Sequence, residues 1–393
     1  MQEKNRTPLL RKPGVQTLLA SLLCIILGLF IGYIALLIIN PAGAGKAIID
    51  IIKNFWTYSK PATQLKNFGM TLVKTAPLLM CSLSVLFAYK VGLFNIGAAG
   101  QYVAGAGACI YCAVGLGWGW FPCMIAAVLA GALVGSISGA LKAFRNVNEV
   151  ISCIMLNWIT LYLVNTLLSA VKEPTSNYTY AINKHLVIEN GTATTVANPG
   201  AVLPSLGIEN LFNNNKYVGL ALPLAILLAF CIWVLLTKTK LGYELRATGL
   251  NKNAAKYCGM QDRKNIVLTM AIAGGLAGIG AAMLYLTGIQ QWSVTQSSVP
   301  GMGFNGIAAA FLGGLSPIGT IFASYFIQHI TDGGAFVNTN MYCAQISDLI
   351  SAVIIYLCGF VLFIKLTIRK LLAKQGEKAA KKAVPAAAKG GDR

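Results

Sequence analysis

Charge is scarce in this chain. Of 393 residues only 11% are charged, 12 of them Asp or Glu, and just two are histidine, His185 and His329. So few acids and imidazoles leave little material for general acid–base chemistry or a metal centre, and no carboxylates pair inside an apolar run as a hydrolase would need. A phosphate-binding loop of the GxxxxGK[ST] type is also missing. Gly45-Lys46 lacks both the earlier glycine and the following hydroxyl, which excludes ATP hydrolysis by that route. The ten cysteines do not fill the gap. Cys109 and Cys112 have CxxC spacing, but no second pair or nearby histidine completes a site, and most of the others sit in apolar runs where cysteine acts as a small hydrophobe. No catalytic residue, metal ligand or cofactor is therefore expected.

What the chain has in quantity is apolar surface, 56% of its residues. Hydrocarbon about 30 Å thick is crossed by about 20 helical residues, and such runs recur ten times. They fall near 17 to 39, 68 to 88, 97 to 116, 121 to 141, 150 to 171, 217 to 237, 265 to 288, 301 to 315, 317 to 331 and 346 to 368. The expected fold is an all-α polytopic membrane protein of about ten transmembrane helices. The first run is longer than a signal-peptide core and reads as an uncleaved span. The third and eighth, rich in glycine and entered through Asn and Gln, read as broken or re-entrant helices.

The formal charge of +19 does not imply a nucleic-acid partner, because the cations are spread between spans. Most of them fall in 1 to 16, 89 to 96, 142 to 149, 238 to 264 and 365 to 393, which places both termini on the cytoplasmic side of the bilayer. The expected organisation is a cytoplasmic tail over 1–16, one transmembrane domain over 17–370, and a basic disordered tail over 371–393. Within the domain, 40–67 and 172–216 read as extracytoplasmic loops. The first carries an amphipathic stretch (Ile48, Ile51, Ile52, Phe55, Trp56), and the second has no cysteine to pin it. Between spans six and seven lies the polar loop 238–264.

An internal repeat is suggested by Gly92-Leu93-Phe94-Asn95-Ile96-Gly97 after span 2 and Gly301-Met302-Gly303-Phe304-Asn305-Gly306 after span 7. The two lie on opposite sides, as an inverted pair of halves (spans 2–5 and 7–10) requires. Glycines repeat every fourth residue at Gly131, Gly135 and Gly139, and again at Gly274 and Gly278, a pattern that lets helices approach closely in lipid. Lys74 can snorkel along its own alkyl stem, while Glu149 and Asp348 sit at span ends, with an interfacial or an ion-coupling role both open. Amides inside apolar runs, among them Asn95, Gln101, Asn157, Asn165, Asn305 and Gln328, must find partners. They either bond neighbouring helices or line a wet path for a neutral polar solute. Phe94, Phe304 and Trp292 stand near them as stacking faces.

The strongest local pattern is Leu241 to Met260, too polar to span and rich in helix formers. Glycines bracket a short helix over Leu250 to Cys258, with Asn251 near its N-terminus. A small rigid helix between two spans suits a lever for a partner protein.

Four stretches, GYELRATGLNKNAAKYCGMQDRKNI at 242–266, GLFNIGAAGQ at 92–101, NEVISCIMLNWI at 148–159 and GFNGIAAAFLGG at 303–314, closely resemble bacterial ABC-importer permeases of the nucleoside and simple-sugar group. Ribose and branched-chain amino-acid permeases look like more distant relatives. The resemblance covers about 65–365. It implies a bacterial plasma-membrane subunit that pairs with a second, often non-identical, permease, with cytoplasmic ABC ATPase subunits, and with an extracellular substrate-binding lipoprotein. Transport would proceed by alternating access. By the same resemblance Glu244, Arg246, Gly249, Asn251, Ala254, Ala255 and Gly259 match the ATPase-coupling segment, and Phe94, Asn95, Gly97, Gln101, Asn157, Phe304 and Asn305 match motifs near the solute path. Relatives usually carry Glu where this chain has Ala99. From the residues alone, an ion-coupled transporter or channel stays open as the alternative.

Overall fold

A computed structural model of the protein describes residues 13–189, 192–338, 340–343, 345–361 and 363–370. The basic tail over 371–393 and most of 1–16 lie outside the described residues, as does the side chain of Asp348. The chain runs α1 Pro13–Ile39, α2 Ala44–Lys53, α3 Pro61–Lys90, α4 Ala98–Ile110, α5 Trp120–Arg145 and α6 Glu149–Leu168. A hairpin follows, β1 Lys184–Glu189 and β2 Thr192–Ala197, then α7 Ala221–Lys238, α8 Lys240–Leu250, α9 Lys252–Tyr257 and α10 Asp262–Tyr285. The last elements are α11 Met302–Leu312, α12 Pro317–Gly333 and α13 Ile346–Cys358.

Every expected span is helical. Among the described residues six helices are long and apolar enough to cross a bilayer: the one ending at Ile39, α3, α5, the one beginning at Glu149, α7 and α10. The third and eighth runs, expected to be broken or re-entrant, form short helices. With 11 residues α11 rises only about 16 Å, half the hydrocarbon thickness. The 13 residues of α4 pass into a π-helical turn over Tyr111–Gly115.

Helix packing bears the stamp of two related halves. α3 packs on α11 and α12, while its counterpart α10 packs on α4 and α5. α4 contacts α5 and α6 as α11 contacts α12 and α13. Exchanging α3–α6 with α10–α13 therefore reproduces the pattern, with α3 against α10 as the shared centre. α1, seated on α13, and α7, seated on α3 and α12, stand outside it.

The glycine ladders pack, as expected. A Cβ on Gly131 would overlap the Gly274 carbonyl oxygen and one on Gly278 the Ala127 carbonyl oxygen, so α5 and α10 touch backbone to backbone.

Two expectations change. Of residues 172–216, read in the sequence as a solvated cap or loop, the described ones form an ordered cap. β1 and β2 pair antiparallel from Lys184 against Ala197 to Glu189 against Thr192. The cap is stitched to the 286–300 loop by the Thr179 N–H donating to the Trp292 carbonyl at 2.9 Å. Trp292 is 1% exposed and its Nε1–H donates to Asn165 Oδ1 at 2.9 Å, which spends both groups on structure and leaves no stacking face for a solute.

Lys74 is the second. It does not stand alone: its Nζ lies 2.8 Å from Asp332 Oδ1 on α12, and Gln328 Nε2 donates to the same oxygen at 3.2 Å. The pair ties the two halves together near the end that bears α2, where Asn54 donates to the His329 carbonyl at 2.8 Å. α2 buries Ala44, Ala47 and Ile51 against the bundle, so its apolar face meets protein. Removing one charge of a half-buried pair strands the other. Asp332→Ala is therefore expected to cost roughly 1–3 kcal/mol, and Lys74→Met with Asp332→Leu together to recover most of it, read as thermal midpoints of the detergent-purified protein.

Candidate functional site

Two groups of residues singled out in the sequence meet at one end of the bundle. α8 starts at its cap, Thr239 Oγ1 accepting from the Gly242 N–H at 3.0 Å, and runs to Gly249 and Leu250. Asn251 caps α9, its Oδ1 accepting from the Ala254 N–H at 3.0 Å, and Gly259, with φ of +80°, closes it. The bracketed helix thus forms where expected, although α8 before it is a separate helix. Ala255 is buried beneath α9 while Ala254 is exposed.

The segment is fixed to the bundle at three points. Asn265 Nδ2 of α10 donates to Thr248 Oγ1 at 2.9 Å, and Lys252 lies 3.4 Å from Asp262. The third point is Gly249: a Cβ there would overlap the Val91 carbonyl and lie 2.8 Å from the Gly92 nitrogen. Gly92 needs its own glycine, because its φ is +77° and a Cβ would sit 2.8 Å from the Gly249 oxygen. Glu244 pairs with Lys240 at 3.8 Å and Arg246 Nε donates to the Gly242 carbonyl at 3.4 Å, both at the surface of α8.

Outward, the segment presents apolar knobs. Leu250 is 88% and Tyr257 93% exposed, beside a groove of about 550 Å³ lined by Tyr243, Glu244, Met260, Gln261, Lys264 and Leu268. Bare side chains of this size on a polar frame are of the kind that a docked partner would cover.

The turn after Gly92 leads into the amides. Asn95 and Gln101 bond reciprocally, Nδ2 to Oε1 at 2.8 Å and Nε2 to Oδ1 at 3.1 Å, and Asn95 also donates to Ser84 Oγ at 2.9 Å. Asn157 accepts from the Gly100 N–H at 2.8 Å and donates to the Ile96 carbonyl at 3.2 Å. All three are buried, as is Gly97, so their polar atoms hold the α3–α4 bend to α6. The helix-bonding reading, left open in the sequence, accounts for these amides.

Three of the seven predicted path residues reach the surface. Phe304 is 41% exposed, Phe94 and Asn305 are half-buried, and the Asn305 side chain makes no hydrogen bond among the described residues. Ala99 is buried against Gly303, where a Cβ would lie 2.8 Å from the Ala99 Cβ. The place of the relatives' glutamate is thus sealed by α11. Sequence reasoning missed Tyr89 and Phe311; the Phe311 ring meets both Tyr89 and Phe94, and an aromatic one heptad from Phe304 was the available signal.

The family model described as "Branched-chain amino acid transport system / permease component" matches residues 67–359, which takes in both the α8–α9 segment and the α4 and α11 motifs. The chain belongs to this permease family. Among its relatives, a nucleoside ABC transporter permease of Lactococcus lactis is 31% identical over 328 residues, 81% of this chain and 85% of the relative. A guanosine ABC transporter permease of Bacillus subtilis is 31% identical over 362 residues, 91% of this chain and 97% of the relative. A glucose ABC transporter permease of Haloferax volcanii is 29% identical over 339 residues, 84% of this chain and 85% of the relative. No solved structure matches the chain. The protein is thus a multi-pass membrane permease of the ABC-transporter class, and an ion-driven carrier is set aside.

Proposed function

We propose that this permease forms half of the translocation path of an ATP-driven nucleoside importer in the bacterial plasma membrane. Its α8–α9 segment and both termini face the cytoplasm. ATP hydrolysis takes place on separate ABC subunits seated on Leu250, Tyr257 and the neighbouring groove, and a second permease of the same family completes the path. An extracellular binding lipoprotein delivers solute to the ordered cap over 172–216. Glu244, Arg246, Gly249, Asn251, Ala254, Ala255 and Gly259 serve coupling, and Asn95, Gly97, Gln101 and Asn157 serve the path as its rigid frame.

The observation that carries the choice of solute is the exposed face of α11, where Phe304 offers an aromatic surface and adjacent Asn305 an unspent amide. A flat heterocycle with hydrogen-bonding edges can use both at once, its ring face on Phe304 and its edge on Asn305. Two relatives named for nucleoside or guanosine support the same choice.

The test is uptake by the assembled importer in proteoliposomes. ATP-dependent accumulation of guanosine or adenosine, undiminished by excess glucose, is the expected result. Phe304→Ala should raise the apparent KM for nucleoside about tenfold, the value of one lost base–aromatic stack. Accumulation driven by an ion gradient without ATP, or glucose outcompeting nucleosides, overturns the proposal.

A further inference from the structure

The six residues from Tyr89 to Phe94 do two jobs at once. At one end Tyr89 sets its ring edge-on to Phe311 of α11, with centroids 5.2 Å apart and planes at 78°. At the other end the Phe94 ring lies 6.4 Å from the same Phe311. Between them, Val91 and Gly92 are the backbone on which Gly249 of α8 rests.

The turn is stiff. The N–H groups of Val91 and Leu93 both donate to the Ala88 carbonyl at 3.0 Å, and that of Gly92 donates to Tyr89 at 3.0 Å. Leu93 is buried, and the Asn95–Gln101 pair locks the chain immediately beyond. A push on Val91–Gly92 must therefore move both rings relative to α11, because no slack lies between the contact and the aromatics.

The strength of the ring contacts suits a closure that opens repeatedly. An edge-to-face pair contributes about 0.5–1.5 kcal/mol beyond its buried area. Inverting a two-state population from 1:99 to 99:1 takes about 5.5 kcal/mol, so a partner that drives such an inversion can part these rings and let them re-form.

We infer that Tyr89, Phe94 and Phe311 form the closure of the solute path at the α8–α9 end, and that α8 works it through the contact of Gly249 with the Val91–Gly92 turn. The inference rests on the α11 face being the solute path. Phe304 lies two helical turns from Phe311, about 10 Å further from α8, and so stands on the far side of the closure. An uncharged aromatic plug blocks a neutral solute by filling space, and a flat base can replace a ring contact as it passes.

The test uses the complete importer in vesicles, with Cys231, Cys258 and Cys343 replaced by serine and with Gly301→Cys as reporter, a position at the start of α11 one turn beyond Phe304 where a Cβ meets nothing within 4 Å. A membrane-impermeant maleimide is added from the α8–α9 side without nucleotide. Adding Tyr89→Ala or Phe311→Ala should speed labelling of the reporter about two- to tenfold, the fold-change equivalent to one lost ring pair. Should Phe311→Ala fail to accumulate, Phe311→Leu and Tyr89→Ala decide, since the Tyr89 ring is partly exposed and tolerates trimming. Protection of the reporter by added nucleoside reads the path separately. Protection without acceleration overturns the closure alone; absence of protection overturns the parent reading.

Discussion

Gly135→Leu is expected to abolish accumulation of folded permease, lowering the yield of monodisperse protein in detergent extracts by an order of magnitude or more. A Cβ at Gly135 would overlap the Met270 carbonyl oxygen and lie 3.2 Å from the Gly274 Cα, so the obstacle is backbone. No side-chain rotation can relieve it. The same close approach recurs at Gly131 and Gly278, which means that displacement at one rung separates α5 from α10 along several turns. Within lipid there is little hydrophobic drive to bring such helices back, because tails solvate the exposed faces as well as leucine does. Gly45 provides the control: nothing lies within 4 Å of a Cβ built there, and Gly45→Leu should leave the yield unchanged. Ordinary yield and thermal midpoint for Gly135→Leu would show that α5 and α10 stand further apart than described.

Gly249→Leu should have an equally large effect on a different quantity. The substituted side chain cannot occupy the space of the Val91 carbonyl, so α8 must lift away from the end of α3. Because Gly249 lies at the surface, in an end segment that Asn265 and Asp262 still anchor, the bundle should fold and bind its partners. The expected outcome is a complex that assembles normally yet hydrolyses ATP at its unstimulated rate whether or not solute and binding protein are present. Full solute stimulation in Gly249→Leu would remove this contact from the coupling route. Tyr257→Ala separates the functions from the other side, since loss of so exposed an aromatic should weaken ATPase docking and leave the Gly249 contact intact.

Much of this architecture was legible in the sequence for identifiable reasons. Apolar runs located the helices, six of them long enough among the described residues to cross, because lipid demands such runs, and the glycine ladder forecast close packing because it recurs at the helical period. Gly249 and Gly259 bracketed the short helix, with Asn251 near its start, because each end of a helix has its own chemistry. What was hidden depends on distance in the chain. Lys74 and Asp332 are 258 positions apart, and nothing local told Lys74 that it had a partner. Asn95 and Gln101 announced that buried amides needed satisfying but not that they would satisfy each other. The β1–β2 hairpin escaped notice because its strands follow no clean alternation of apolar and polar residues. The meeting of Gly249 with Val91 and Gly92 escaped because a glycine's packing role shows only once its neighbour is in place.

The Lys74–Asp332 pair also bears on how the cell's voltage acts on this machine. A lone charge carried across the full membrane field gains or loses about 2.3 kcal/mol for every 100 mV, so a subunit that rocked an isolated lysine through the field would run faster or slower as the cell polarised. Here the opposite charges sit 2.8 Å apart and travel as a dipole, whose two contributions nearly cancel. The electrical state of the membrane thus finds little to grip on this pair.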